Sequence, residues 1–357
     1  MINIIAPINP LGYGVAGWNI TKELSKIMDV ALWPIGQLQI HTQQEADILK
    51  PLINNSAMFD PKAPSLKIWH QHDMAQSVGS GERIGFPIFE LDEFNDIEKH
   101  QLNSLDRIFV CSQWARMVIL NNVTNVSESK VHVIPLGVNS DLFQPCESKS
   151  KKTVFFNCGK WEIRKGHDVL VDIFNKSFNE EDDVELWMMT TNPFLSPEED
   201  EEWKKLYLNS KLGDKIKFID RVATHEEVYN IMRRTDCGIF PSRAEGWNLE
   251  LLEMLSCGKT VITTNYTAHT EFCNDSNAYL VEIENKELAY DGKWFNGRCG
   301  SWAKMSNMQI DLFVDYMRNV HKLKQSGKLS TNQEGVITAK SFSWAKSSSD
   351  IKEIINE

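Results

Sequence analysis

The sequence has no uninterrupted apolar stretch of 18 residues, so no segment reads as a membrane-spanning helix. Its start, MINIIAPINPLGYG, lacks the basic n-region and long apolar segment of a secretory signal. It also has no C-x-x-C pair. The seven cysteines (Cys111, Cys146, Cys158, Cys237, Cys257, Cys273, Cys299) are scattered and odd in number. That pattern argues against a zinc site and reads as reduced, mostly buried thiols in a cytoplasmic protein. Positive charge is scarce: 38 Lys and Arg stand against 49 Asp and Glu, a net charge of −11. Residues 1–148 alone carry 10 basic against 16 acidic side chains. Surfaces that hold long polyanions or anionic lipids carry the opposite sign, so such partners and stable membrane anchoring are disfavoured. There is no D-x-D triplet, no internal repeat and no low-complexity tract.

What is present is a chain of 357 residues, 42% hydrophobic and 24% charged, long enough for two cores. INIIAP reads as a buried strand, NPLGYGVAGWN as a glycine-bearing turn, and NITKELSKIM as a helix with Ile20, Leu24 and Ile27 on one face. LKIWH, RIGFPIF, RIFVC and VHVIPLG are further strand candidates. The polar, lysine-rich QPCESKSKK, 144–152, then reads as a linker. After it strands (TVFFNCG, VELWMMTTN, KIKFID, CGIFPS, KTVITTN) alternate with helices (HDVLVDIFNKSF, EEDEEWKKLYLNSKL, HEEVYNIMRRT, NLELLEMLSC). Such alternation predicts an α/β protein of two doubly wound, Rossmann-like domains with parallel sheets, binding ligands beyond the carboxyl ends of the strands. The boundaries expected are 1–148, 149–328, and a C-terminal segment 329–357.

Two loops carry the candidate chemistry. In PSRAEGWNLELLEMLSCG, Glu245 precedes a helix capped by Asn248, and Glu253 lies inside that helix. Gly246 and the unpaired N–H groups of the helix's first turn suit an anion such as phosphate. In GKWEIRKGHD, Lys160, Arg164 and Lys165 follow the first strand of the same domain, and so should share its rim. Taken singly, each carboxylate reads as a solvated surface charge and the cationic loop as an ordinary βα turn. Taken together, cations and helix N–H groups suit a diphosphate, and a neighbouring carboxylate suits sugar hydroxyls.

These segments resemble the donor-binding half of the retaining glycosyltransferases of family 4, whose fold is GT-B. The family's E-x7-E pattern is similar to EGWNLELLEMLSCGKTVI, and its basic strand–loop–helix to FFNCGKWEIRKGHDVLVDIF. VHVIPLGVNSDLF resembles the segment that closes the first domain, and FSWAKSSSDIKEII the last helix, which crosses back to it. The resemblance implies two domains facing across a cleft, the first binding the acceptor and the second a nucleotide sugar. Glu253 would take the ribose hydroxyls. Glu245, with the backbone of Gly246, Trp247, Asn248 and Leu249, would hold the donor sugar and its phosphate. Lys165 would neutralise the diphosphate, helped by Lys160, which stands where the family often has arginine, or by Arg164. Arg221, Val222 and Ala223 would lie beside the base.

In the first domain the resemblance implies that Gly14, in G-Y-G, approaches the phosphates. It makes His70, in KIWHQHDM, and Glu90, in RIGFPIFELDEF, candidates near the reacting centre. YDGKWFNGRCGSWAK, 290–304, also resembles a segment of some members, with no role attached. The expected activity is metal-independent, retaining transfer of a hexosyl or pentosyl group, without a cofactor, from a nucleoside-diphosphate sugar to a hydroxyl. UDP-sugar stands ahead of GDP-sugar, and a glycan or small-molecule acceptor ahead of a hydroxylated nucleic-acid base. The alternative is a non-catalytic sensor or scaffold that binds the same nucleotide sugar.

Overall fold

Runs such as Ile2–Ala6, apolar at nearly every position, are the signature of strands covered on both faces, and the structure uses them in that way. A computed structural model describes all residues 1–357. They divide into two units, Met1–Gly137 with Phe342–Glu357, and Val138–Ser341.

The first unit runs β1 (Ile2–Ala6), α1 (Gly12–Ser25), β2 (Val30–Pro34), α2 (Gln43–Asn54), β3 (Ser65–Trp69) and β4 (Arg83–Pro87). It continues through α3 (Asp96–Asn103), β5 (Arg107–Val110), α4 (Gln113–Asn122) and β6 (Val131–Val133). Its six strands form a parallel sheet in the order β2-β1-β3-β4-β5-β6, which reverses direction between β1 and β3. The expected glycine turn is shorter than the sequence suggests, because α1 starts at Gly12 itself. Gly14 therefore sits in the helix, pressed on the turn before it. A Cβ there would lie 2.2 Å from the Asn9 carbonyl oxygen, so close backbone packing already requires this glycine.

The second unit runs β7 (Thr153–Gly159), α5 (His167–Ser177), β8 (Val184–Thr190), α6 (Pro197–Leu208), β9 (Ile216–Phe218) and α7 (His225–Met232). Next come β10 (Cys237–Phe240), α8 (Leu249–Ser256), β11 (Thr260–Asn265) and β12 (Tyr279–Glu282). A hairpin of β13 (Lys286–Tyr290) and β14 (Asn296–Ala303) precedes α9 (Asn307–Gln325) and α10 (Gln333–Ser341). Its parallel sheet has the order β12-β11-β10-β7-β8-β9 and reverses between β10 and β7. Phe155, Leu170, Phe174, Leu186, Ile239, Ile262 and Phe313 fill one core between this sheet, α5 and α9.

The division differs from the expected boundaries at both ends. Residues from Val138 belong to the second unit, where Ser256 Oγ donates to Phe143 O at 2.7 Å and Cys146 N to Cys257 O at 3.1 Å. The composition of 144–152 is that of a linker, yet its start is hydrogen-bonded to the end of α8. Residues 329–341 also stay there, with Asn332 N donating to Gly258 O at 2.8 Å. Only α11 (Trp344–Asn356) returns to the first unit. There Ser347 Oγ donates to Pro135 O at 2.5 Å and Lys352 Nζ to Ile27 O at 2.8 Å. No helix is long and apolar enough to cross a membrane.

Candidate active site

The sheet of the second unit reverses between β7 and β10, the position at which open α/β sheets bind ligands beyond the carboxyl ends of their strands. The loops leaving those two strands are residues 160–166 and 241–248. They are joined by their own backbone. Arg243 N donates to Arg164 O at 2.7 Å, and Arg243 Nη1 reaches Ile163 O at 2.5 Å. The same guanidinium grips Asp168 with two bonds of 2.7 and 2.8 Å. Gly166 caps α5 with φ +75°, and a Cβ there would stand 2.0 Å from the Pro241 carbonyl oxygen. Gly166→Ala therefore combines a left-handed backbone with a clash against main chain. The expected loss is at least about 2 kcal/mol of stability, read from the urea midpoint of the variant.

The junction brings the predicted lysine and glutamate together: Lys165 Nζ lies 3.0 Å from Glu245 Oε1. Gly159, with φ +132°, lets the Lys165 stem lie on the backbone, since a Cβ there would be 3.0 Å from its Cδ and Cε. Arg164 is committed to protein partners. Its Nη1 donates to Glu245 Oε2 and to Ala244 O, both at 2.7 Å, while Nε and Nη2 hold Glu162 Oε2 at 3.0 and 2.6 Å. Both guanidinium and carboxylates are buried. Arg164 thus orients Glu245, which leaves Lys165 and the more exposed Lys160 as the cations nearer solvent. Lys160 Nζ pairs with Glu162 Oε1 at 2.9 Å. Ser242 Oγ donates to Glu245 Oε1 at 2.9 Å, and Glu245 N donates to Thr267 Oγ1 at 2.9 Å.

Asn248 does cap α8, in the uncommon left-handed conformation at φ +79°. Its Oδ1 accepts from Leu251 N at 3.2 Å and its amide nitrogen meets His269 Nε2 at 2.9 Å. His269 Nδ1 lies 3.1 Å from the Thr264 carbonyl, which can only accept, so Nδ1 carries the proton and Nε2 accepts from Asn248. The whole loop Pro241–Asn248 is buried, and Gly246 and Trp247 lie within it at the start of α8. Leu249 opens the helix half-buried; Leu252 and Leu255 bury its inner face. Glu253 is buried too, 3.5 Å from His225 Nδ1 at the start of α7. Val222 is half-buried in the loop between β9 and α7, three residues before His225, on the same rim.

Burial pushes the Glu245 carboxyl up, but the Arg164 and Lys165 charges outweigh it and hold it well below the usual carboxylate range. Burial likewise pulls Lys165 down, and Glu245 more than restores it, so its ammonium is held above its ordinary value. The pair is therefore ionised at neutral pH. Glu162 is depressed as well: burial raises it, and Arg164 and Lys160 lower it further. Glu253 goes the other way, raised by burial against the opposing pull of His225. His167 and His269 are driven down, mainly by burial, to about 3 and about 4. His167 accepts from Glu162 N at 3.1 Å and faces Asn157 Oδ1 at 2.9 Å, which fixes a neutral ring.

These shifts set a pH dependence. A histidine depressed on folding binds its proton only in the unfolded chain, so its contribution is complete above about pH 6.5 and is lost as pH falls towards the folded value. The depressed carboxylates lose theirs only below about pH 4.5. Between pH 7 and pH 5 the two buried rings should each cost roughly 2 kcal/mol of stability. Urea titrations at the two pH values measure it, and His269→Gln should remove about 2 kcal/mol of the loss.

In the first unit, Gly14, His70 and Glu90 follow β1, β3 and β4, neighbours around that sheet's own reversal. Tyr13 links them. Its ring is 4.5 Å from that of His70, its hydroxyl donates to Ile88 O, and Ile88 N donates back at 3.1 Å. Burial, then the Glu90 charge, raises the Tyr13 phenol well above its ordinary value. His70 also stacks on His72 at 5.3 Å. Phe86 and Phe89 are core residues. The sequence reading missed Glu162, His167, His225, Thr267 and His269. Only His225 had a local signal, the T-H-E-E cap that starts α7; the others are set by contacts formed on folding.

Residues 151–291, which include both loops, match the model of the family described as glycosyl transferases group 1. The crystal structure of a glycosyltransferase from Rickettsia africae superposes with a TM-score of 0.71 at 16% identity, covering 99% of this chain and 97% of that one. The fold is GT-B. HepE of Anabaena, solved in complex with UDP-glucose, is similar in the same way, with a TM-score of 0.70, 14% identity and 99% coverage of both chains. In sequence, the phosphatidylinositol N-acetylglucosaminyltransferase GPI3 subunit of Saccharomyces cerevisiae is 23% identical over 308 residues. That alignment takes in 74% of this chain and 66% of the yeast protein, so the chain spans about two thirds of that relative's length. The family model matches the part of the chain that carries both loops, and the GT-B fold spans all of it.

Proposed function

We propose that this protein is a retaining, metal-independent glycosyltransferase that moves a sugar from a UDP-sugar to a hydroxyl of a glycan or small molecule. The observation that carries the reading is the 3.0 Å meeting of Lys165 and Glu245 at the sheet reversal, beside the first turn of α8. Transfer breaks the bond between the anomeric carbon and a β-phosphate oxygen, and the acceptor oxygen bonds to that carbon as its proton leaves. Negative charge then grows on the diphosphate. Lys165, with Lys160 on the same loop, supplies a fixed countercharge, and the N–H groups of the first turn of α8 add aligned dipoles. Glu245, oriented by Arg164 and Ser242, accepts from the donor sugar's hydroxyls, and Glu253 from the ribose. Val222 lies against the base. His70 and Glu90 are the candidates to take the acceptor's proton. The UDP-glucose complex of the similar Anabaena structure supports a uridine donor.

A panel of UDP, GDP and ADP tests the donor. UDP at a hundredfold excess over its Kd should stabilise by about 2.7 kcal/mol and raise Tm by roughly 5–10 °C. Glu253→Ala should weaken UDP by about 1.5–3 kcal/mol, the worth of hydrogen bonds to a charged group. Release of UDP from UDP-sugar without acceptor separates enzyme from sensor. Binding with no turnover under any hydroxyl acceptor would favour the non-catalytic protein.

A further inference from the structure

The hairpin β13–β14, left without a role by the sequence, ends in a turn that is held rigid. Asp291 Oδ1 accepts from the backbone N–H groups of Lys293, Trp294 and Phe295 at 2.8, 2.7 and 2.9 Å. Lys293 Nζ in turn reaches Glu199, in the first turn of α6, at 2.6 Å. Between the clamped turn, α6 and the loop after β7 runs a groove of about 530 Å³. Trp161, Trp203 and Trp294 line it with Glu162, Glu202 and Asp291.

We propose that this groove is a second carbohydrate-binding subsite, apart from the diphosphate site, that takes neutral glycosyl units. It goes beyond the transferase reading and does not depend on it. Trp294 is 49% exposed and Phe194 53%, yet the two pack edge to face at 5.9 Å, and the Asp291 turn presents the indole to solvent. Trp203 is half-buried and lies parallel to the fully buried Trp161 at 5.4 Å, so of that pair Trp203 alone reaches solvent. Flat aromatic faces carry negative charge density, which suits the C–H face of a pyranose, while carboxylates beside them suit its hydroxyl edge.

The polar groups narrow the ligand further. Ionised carboxylates only accept hydrogen bonds. Hydroxyls and cations both satisfy them, and an anion does not. The groove's charge is also partly neutralised, Glu162 by Lys160 and Arg164 and Glu199 by Lys293, which weakens any field for a cation. The subsite adjoins the donor loops. Glu162 lines the groove and holds Arg164, which holds Glu245, and Ala303 N at the root of the hairpin donates to Arg243 O at 2.9 Å.

Tryptophan fluorescence and saturation-transfer NMR on the full chain, with maltotriose, chitotriose and mannotriose as probes, test the proposal. At least one trisaccharide should bind at millimolar concentration or below. Trp294→Ala should weaken it by about tenfold, as should Glu202→Gln, a second exposed position that keeps the test valid if either variant folds poorly. The thermal shift with UDP should be unchanged in both variants. If none of the three trisaccharides binds, or if both variants retain binding, the subsite is overturned. So it is if tetramethylammonium binds there and the trisaccharides do not. UDP stabilisation without trisaccharide binding refutes this proposal alone, whereas trisaccharide binding with no response to any nucleotide refutes the transferase reading alone.

Discussion

Lys165→Ala is expected to lower donor turnover by about 10²–10³-fold, or roughly 3–4 kcal/mol of transition-state stabilisation, the scale set by removing one preorganised donor to a developing anion. The loss should fall mainly on kcat. The bound diphosphate already carries charge, but the charge on the departing oxygen grows only as the anomeric bond breaks, so the ammonium matters more in the transition state than in the bound donor. The variant should still fold. Glu245 keeps Arg164 at 2.7 Å and Ser242 at 2.9 Å, so no buried carboxylate is stranded. Steady-state release of UDP, with Tm followed in parallel, separates lost chemistry from lost structure. An unchanged kcat in a folded variant would remove Lys165 from the reaction.

Arg164→Met should do the reverse, damaging the fold first. Its guanidinium makes four hydrogen bonds, to Glu162, Glu245 and the Ala244 carbonyl, with every partner buried. Without it two ionised carboxylates remain in a low-dielectric loop, with Lys160 against one and Lys165 against the other. Removing one member of a buried ion network costs about 3–5 kcal/mol, because the charges left behind remain desolvated. Tm should fall by on the order of 10 °C. The double variant Arg164→Met with Glu162→Gln should recover part of the loss, since it deletes one of the stranded charges; a simple sum of the single effects would contradict a coupled network.

Much of this arrangement can be read from the chain because it rests on local patterns. The alternation of apolar runs and amphipathic segments gives both parallel sheets, and a basic loop and an acidic loop after two strands of one sheet give the Lys165–Glu245 pair. Asn248 before a leucine-rich run marks the start of α8, and Cys257-Gly258 marks its end, with Gly258 at φ +68°. Other parts depend on contacts between distant residues. That Arg164 faces inward follows from Glu162 and Ala244 lying within its reach, and no spacing rule distinguishes it from its neighbour Lys165. His269 supports Asn248 from 21 residues away. The α1 boundary is missed because glycines usually signal a loop, whereas Gly14 serves close packing inside a helix. The 144–152 segment has a linker's composition, but its Cys146 N–H pairs with the Cys257 carbonyl at the end of α8.

The most direct test is a crystal structure of the chain with UDP. The account predicts the β-phosphate within hydrogen-bond distance of Lys165 Nζ and the ribose hydroxyls on Glu253. A nucleotide bound elsewhere, with the Lys165–Glu245 pair untouched, would contradict it.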